Sequence, residues 1–360
     1  MRTDRPVLLV ARGLDPVGTG CELEHAAVGF AATGQAVVVA VTSSGGSVPG
    51  RLAARGFAVH RLGRRPVVDA GATARLARLA AQLRPTAILG FGRSQAWPVM
   101  VARRCAAGSR AALRIGVVPR GQRQAWPLRR LDRVIATSPE VAAVCGRMGV
   151  TATRITVVPP GGEALAGTGL ARAEVAARLG LDAAKRWTLA VAPLEPASQL
   201  QRLLWAIDQL GVVRKDLQHV LIGAGPLLHG LWRRARAQEL AERLFILPHC
   251  DLLPDLLSEL ALVWQSGEVA LGGCLLDGMA RGLPAVAVES MAARQLIVDS
   301  ETGRIVPAVP ESEFPRRVFG VLEDDALAAR FGAAAAARAA TSFPAAAMVQ
   351  GLLTALALPR

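Results

Sequence analysis

The chain has 360 residues, of which 52% are hydrophobic and 19% charged; that is too apolar for a disordered chain and long enough for two cores. The formal net charge is +14, almost all of it from arginine, because Lys185 and Lys215 are the only lysines. Five scattered cysteines without a CxxC pair exclude zinc-ribbon and thioredoxin-type chemistry, and no uninterrupted apolar run approaches the roughly 18 residues of a membrane-spanning helix.

Apolar runs alternate with helical patterns from the start. "PVLLVA" reads as a buried strand, followed by a glycine turn and helix in "GTGCELEHAAVGFAATG" and a second strand in "AVVVAVTS". "GRLAARG" and "FAVHRLG" continue as helix and strand. "AGATARLARLAAQLRP" is an amphipathic helix stopped near Pro85, and "TAILGFG", "DRVIATS" and "RITVVPPGG" are further strands, with the helix "PEVAAVCGRMG" before the last. The Pro- and Gly-rich stretch "PPGGEALAGTG" interrupts the pattern and places a domain boundary near residue 165. The alternation then restarts: "WTLAVAPL", "QHVLIGAGP", "RLFILP", "ALVWQS" and "TGRIVP" as strands, and "LQRLLWAIDQLG", "LLHGLWRRARAQELAE" and "DLLPDLLSEL" as helices, ending in an alanine-rich helical tail. Alternation of this kind predicts an α/β protein of two doubly wound, Rossmann-like domains, 1–165 and 166–340, facing across a cleft, with 341–360 a helix returning to the first domain.

The charge is unevenly shared. Residues 1–165 carry 23 arginines and 8 acids, whereas residues 166–360 carry 19 Lys or Arg and 20 acids. A basic first half suits an acidic partner: an acidic glycan, a lipid-linked acceptor or an anionic membrane surface. Arg103, Arg104, Arg123, Arg129 and Arg130 are the candidate residues for it, although the same arginines also fit a solvated surface. No recognition fold or aromatic stacking platform supports nucleic acid. No signal-peptide pattern opens the chain, so a cytoplasmic protein, peripheral at a membrane, is the expectation.

"GGCLLDGMARGLPAVAV" combines a glycine turn, a short helix and a buried strand. Gly272 and Gly273 would leave free amides before the helix for a phosphate or a sugar hydroxyl, while Asp277 is the one carboxylate on that helix, fit for a ligand or for capping. Gly223 and Gly225 in the second half would let backbone approach a ligand, and Gly18 and Gly20 in the first would do so or simply turn tightly. Glu22 and His25, three apart on a helix, have metal-ligand spacing, but that spacing is common by chance and no metal site is expected.

Taken in order, four segments resemble the retaining glycosyltransferases of the GT-B fold, the group-1 or GT4-like family. They are "VGTGCELEHAAVGFAATGQAV", "LDRVIATSPEVAAVCGRMGVTATRITVVPPGGEAL", "VLIGAGPLLHGL" and "GGCLLDGMARGLPAVAV". The resemblance implies transfer of a hexose from a nucleotide diphosphate sugar with retention of configuration, no cofactor, and a donor site that includes Gly20, Gly223, Gly225, Glu268, Leu271, Gly272, Gly273 and Asp277. Asp277 falls where the family's second glutamate holds the nucleotide ribose. Other positions depart from the family pattern. Where it carries an Arg and a Lys on the donor diphosphate, this chain has Pro193 and Ser198. Val269 occupies the first glutamate position, with Glu268 one residue early. A binding or partner scaffold without turnover is therefore the alternative reading.

Overall fold

The computed structural model describes residues 5–12, 19–43, 48–64, 70–116, 126–164, 167–267 and 274–358. Gly18, Arg123, Glu268, Val269, Leu271, Gly272 and Gly273 lie outside the described residues. The chain divides into two compact units: the first takes the described residues up to 161 together with 343–358, and the second takes 162–342.

The first unit is built on a parallel sheet of β1 (Val7–Ala11), β2 (Val37–Val41), β3 (Ala58–Arg61), β4 (Ala87–Phe91), β5 (Arg110–Ile115), β6 (Arg133–Ala136) and β7 (Ile155–Val157), in the spatial order β3-β2-β1-β4-β5-β6-β7. All five residues of β1 are buried, as a strand covered on both faces requires. Its Val7, Leu9 and Ala11 share a core with Leu23, Ala27 and Phe30 of helix Thr19–Ala32 and with Leu352, Leu353 and Leu356 of helix Ala345–Leu356. The C-terminal helix thus belongs to this unit's core.

One feature of this sheet runs against its composition. Arg114 of β5 is only 1% exposed. Its Nε donates to Glu22 Oε2 at 2.6 Å and its Nη2 to Glu22 Oε1 at 3.1 Å, while Nη1 and Nη2 reach the carbonyls of Val158 and Pro159 at 3.1 and 3.0 Å. Every partner of this buried charge is fixed, which is what makes its burial tolerable. Glu22, read from sequence beside His25 as a chance metal-ligand pair, is occupied by that ion pair.

The second unit repeats the plan with β8 (Arg186–Val191), β9 (Leu217–Ile222), β10 (Leu244–Leu247), β11 (Leu260–Gln265), β12 (Ala285–Val288) and β13 (Gly303–Val306), in the order β10-β9-β8-β11-β12-β13, all parallel. Leu203, Leu204 and Ile207 of helix Leu200–Val213 meet Val318 and Leu322 of helix Glu313–Glu323 over Leu221, Leu262 and Val286. In each unit the strand order reverses beside the first strand, between β1 and β4 and between β8 and β11. Loops leaving the carboxyl ends of such a pair diverge to opposite faces and open the crevice where doubly wound sheets bind ligands.

Two packing details in this unit have measurable consequences. Helix Asp325–Ser342 touches the chain just past helix Cys274–Ala280, where a Cβ on Gly332 would lie 2.0 Å from the Gly282 carbonyl oxygen. Backbone cannot retreat as a side chain can, so Gly332→Ala is expected to cost about 1–3 kcal/mol, read as a lowered denaturant midpoint. The second detail is His219 of β9, 1% exposed with Nδ1 2.7 Å from Thr188 Oγ1. Burial, aided by the positive charge of Arg243, lowers its pKa from 6.5 to about 3. The folded ring therefore stays neutral where an unfolded one protonates. Its contribution is complete above pH 6.5 and is lost progressively as pH falls toward 3. Unfolding titrations between pH 7 and pH 4 should show stability falling more steeply on acidification in the wild type than in His219→Gln.

Candidate functional site

The loops that leave β8 and β11 at the second unit's switch point are held together by short backbone and hydroxyl contacts. Ser198 is 2% exposed and turns inward, its Oγ donating to the Pro193 carbonyl at 2.6 Å. Ser266 Oγ in turn donates to the Ser198 carbonyl at 2.8 Å. Gly267 lies so close that an added Cβ would sit 2.6 Å from Ser198 C. Positions 193 and 198, which the resemblance assigns to the diphosphate cations, thus face each other across one closed turn and carry no charge. Gln199 follows with φ of 49°, a left-handed backbone.

The cation beside this turn is Arg202, one helical turn beyond Ser198. Its Nη1 donates to the Ser266 carbonyl at 3.3 Å and its Nη2 to the Ala308 carbonyl at 3.2 Å, with Glu311 Oε1 3.7 Å away. Spacing alone did not single it out, because an Arg in a helix opening "QLQRLL" reads as a surface residue. Its contacts tie the carboxyl end of β11 to the segment after β13.

Asp277 occupies the first turn of helix Cys274–Ala280, which follows the β11 loop, and is 1% exposed. The neighbouring Leu276 packs on Gly162 of the same unit, where an added Cβ would come within 2.4 Å of Leu276 Cγ. At 1% exposure the Asp277 carboxylate is screened from bulk water.

The two glycines after β9 have a packing reason of their own. A Cβ on Gly223 would stand 1.9 Å from the Ala192 carbonyl oxygen, and one on Gly225 would stand 2.5 Å from that of Leu194. Leu194 N donates to the Ala224 carbonyl at 3.0 Å, and Leu227 N donates to that of Leu194, also at 3.0 Å. These glycines bring the β9 turn onto the β8 loop. Gly20 lies in the first turn of helix Thr19–Ala32 and is buried.

In the first unit, Arg103 forms a two-pronged pair with Asp132, at 2.7 Å for both contacts. Arg129 Nε donates to the Met148 carbonyl at 2.7 Å, and Arg130 lies over the Trp126 ring at 5.3 Å. Arg104 is exposed at the end of helix Ala96–Cys105. Among the described residues no three metal-ligating side chains come together, and no helix is long and apolar enough to cross a membrane.

Comparison with known proteins bears on both units. HepE of Anabaena, solved in complex with UDP and glucose, matches with a TM-score of 0.78 at 16% identity, over 98% of this chain and 99% of that one. Sucrose-phosphate synthase of Thermosynechococcus elongatus matches with a TM-score of 0.72 at 17% identity, over 97% and 98%. WaaG, a glycosyltransferase involved in lipopolysaccharide biosynthesis, gives 0.72 at 13% identity, over 97% and 99%. At such identities the likeness speaks for the fold. No curated protein sequence matches the chain. The family model described as glycosyl transferases group 1 matches residues 172–338, nearly the whole second unit. This chain has the GT-B fold, and its second unit matches the family model of the group-1 glycosyl transferases.

Proposed function

We propose that the chain transfers a hexose from a nucleotide diphosphate sugar to an acidic or lipid-linked acceptor at the cytoplasmic face of a membrane, with retention of configuration. The nucleotide lies at the switch point of the second sheet, where Asp277 accepts hydrogen bonds from the ribose. Gly272 and Gly273 offer amides to the phosphates, with Gly223, Gly225, Glu268 and Leu271 around them. The basic first unit takes the acceptor. The observation that carries this reading is the placement of Asp277: a solvent-excluded carboxylate in the first turn after β11, inside the segment that matches the family. In transfer, the bond from the anomeric carbon to the diphosphate oxygen breaks, and one to the acceptor oxygen forms on the same face of the sugar. The acceptor proton is released, and no resident metal or cofactor takes part. HepE, which shares this fold, was solved with UDP-glucose, and UDP and GDP are the leaving groups to test first. Incubation with a panel of UDP- and GDP-sugars should give nucleotide release, accelerated by an acidic or lipid-linked acceptor. Absence of both release and transfer across the panel would reject turnover.

A second reading, a scaffold that binds the nucleotide sugar without turnover, is favoured by one observation: the Ser198–Pro193 hydrogen bond closes the turn where two cations would steady the leaving diphosphate. Cations aimed at developing charge are worth several powers of ten in rate. Calorimetric binding of nucleotide with no product formation is the result that selects this reading.

A further inference from the structure

Two tryptophans of the first unit lie on its surface against each other. Trp97 is 52% exposed and Trp126 38%, with ring centroids 5.6 Å apart and planes tilted by 32°. They begin two stretches that run side by side: six residues on from each, Arg103 meets Asp132 in the bidentate pair described above. Trp97 and Arg104 are two helical turns apart and so share one face of helix Ala96–Cys105. The result is a continuous strip with an aromatic head, Arg130 over Trp126 beside it, and a basic foot. At that foot a concavity of about 910 Å3 is lined by Arg103, Arg104, Arg110, Arg133 and Arg154, with Asp132 the one acid and already paired. Residues 93–154 hold twelve arginines and two acids, so the whole surrounding segment has one sign.

We propose that this strip is a docking surface for an anionic lipid bilayer, with the Trp97–Trp126 pair seated at the headgroup level and Arg104, Arg130 and the arginine-lined concavity on the lipid phosphates. Indole rings have an apolar body and a polar N–H, which suits the membrane–water boundary. Arginine stems lie along apolar surface while their heads reach phosphate. A soluble polyanion would use the arginines equally well but gives no reason for the aromatic head. The two rings lean on one another, so neither offers two open faces to a stacking base or sugar. The inference deepens the acceptor side of the reading above, because it names the surface from which a lipid-linked acceptor is reached. It needs no donor chemistry.

Sedimentation of the full chain with phosphatidylcholine vesicles, with and without about a third phosphatidylglycerol, tests it in the absence of nucleotide. Binding is expected on the anionic vesicles only and should weaken with salt. Each arginine near such a surface changes partition roughly five-fold, so Arg104→Gln/Arg130→Gln should lose about 25-fold. Trp97→Ser/Trp126→Ser should also weaken binding, but leave its salt dependence unchanged. Unaltered thermal midpoints establish that these surface variants fold. Equal binding to neutral vesicles, no binding to either kind, or no effect of the tryptophan pair would each overturn the proposal. So would tight binding of heparin with no binding to vesicles, which would assign the strip to a soluble polyanion. None of these outcomes touches the nucleotide site, whose own test is turnover of the donor.

Discussion

Arg114→Ala will destabilise the first unit by about 3–5 kcal/mol, the largest stability effect expected of any single change to its ion pairs. The guanidinium is 1% exposed and its partner Glu22 3%. Removing the arginine leaves a carboxylate in the core with no opposite charge, and it also frees the Val158 and Pro159 carbonyls that Arg114 holds. Surface pairs such as Arg294–Glu289, with side chains 68% and 44% exposed, differ in kind: their loss should cost less than about 1 kcal/mol. The pair is not irreplaceable. Glu22→Leu/Arg114→Met removes both charges while keeping volume, and it should recover most of the lost stability. Denaturant unfolding of the wild type, the single variant and the double variant, followed by circular dichroism, measures both statements. A single variant as stable as the wild type would mean that Glu22 finds water, and that this part of the core is more open than its burial indicates.

Asp277→Asn will weaken nucleotide binding about ten- to a hundred-fold. A hydrogen bond to a charged acceptor contributes about 1.5–3 kcal/mol, and at 1% exposure Asp277 is little screened by solvent. Titration calorimetry with UDP and GDP reads the change directly. The competing role for a carboxylate in a first helical turn is local: interaction with the helix amides and dipole, worth about 0.5–2 kcal/mol of stability. The two roles leave different signatures. Capping lowers the thermal midpoint with nucleotide affinity intact, whereas ribose binding lowers affinity whatever happens to the midpoint.

How far the chain could be read before its structure depended on where each residue's reasons lie. β1 and β2 announce themselves as unbroken apolar runs because sheets covered on both faces have no polar side to show. β5 did not: "RAALRI" begins and nearly ends with arginine, and the group that makes Arg114 tolerable stands 92 positions earlier in the chain. The helices Ala96–Cys105, Arg172–Leu179 and Met291–Leu296 were also passed over. The first carries a proline in its opening turn, and the other two are short. At the site, Asp277 was legible because its helix and the strand after it are local patterns. The inward turn of Ser198 onto Pro193 was not, since a serine after Glu-Pro-Ala fits an open loop equally well. The steric demand on Gly223 and Gly225 was hidden as well, because the Ala192 and Leu194 carbonyls facing them belong to another strand's loop. Such steric demands are written in three dimensions only.

Transfer from a nucleotide sugar requires the second unit to hold a nucleotide diphosphate. Calorimetric titration of UDP and of GDP into the full chain asks this most directly. Saturable binding of one of them, weakened in Asp277→Asn, is expected. No heat of binding from either nucleotide, with the protein folded by circular dichroism, would contradict it.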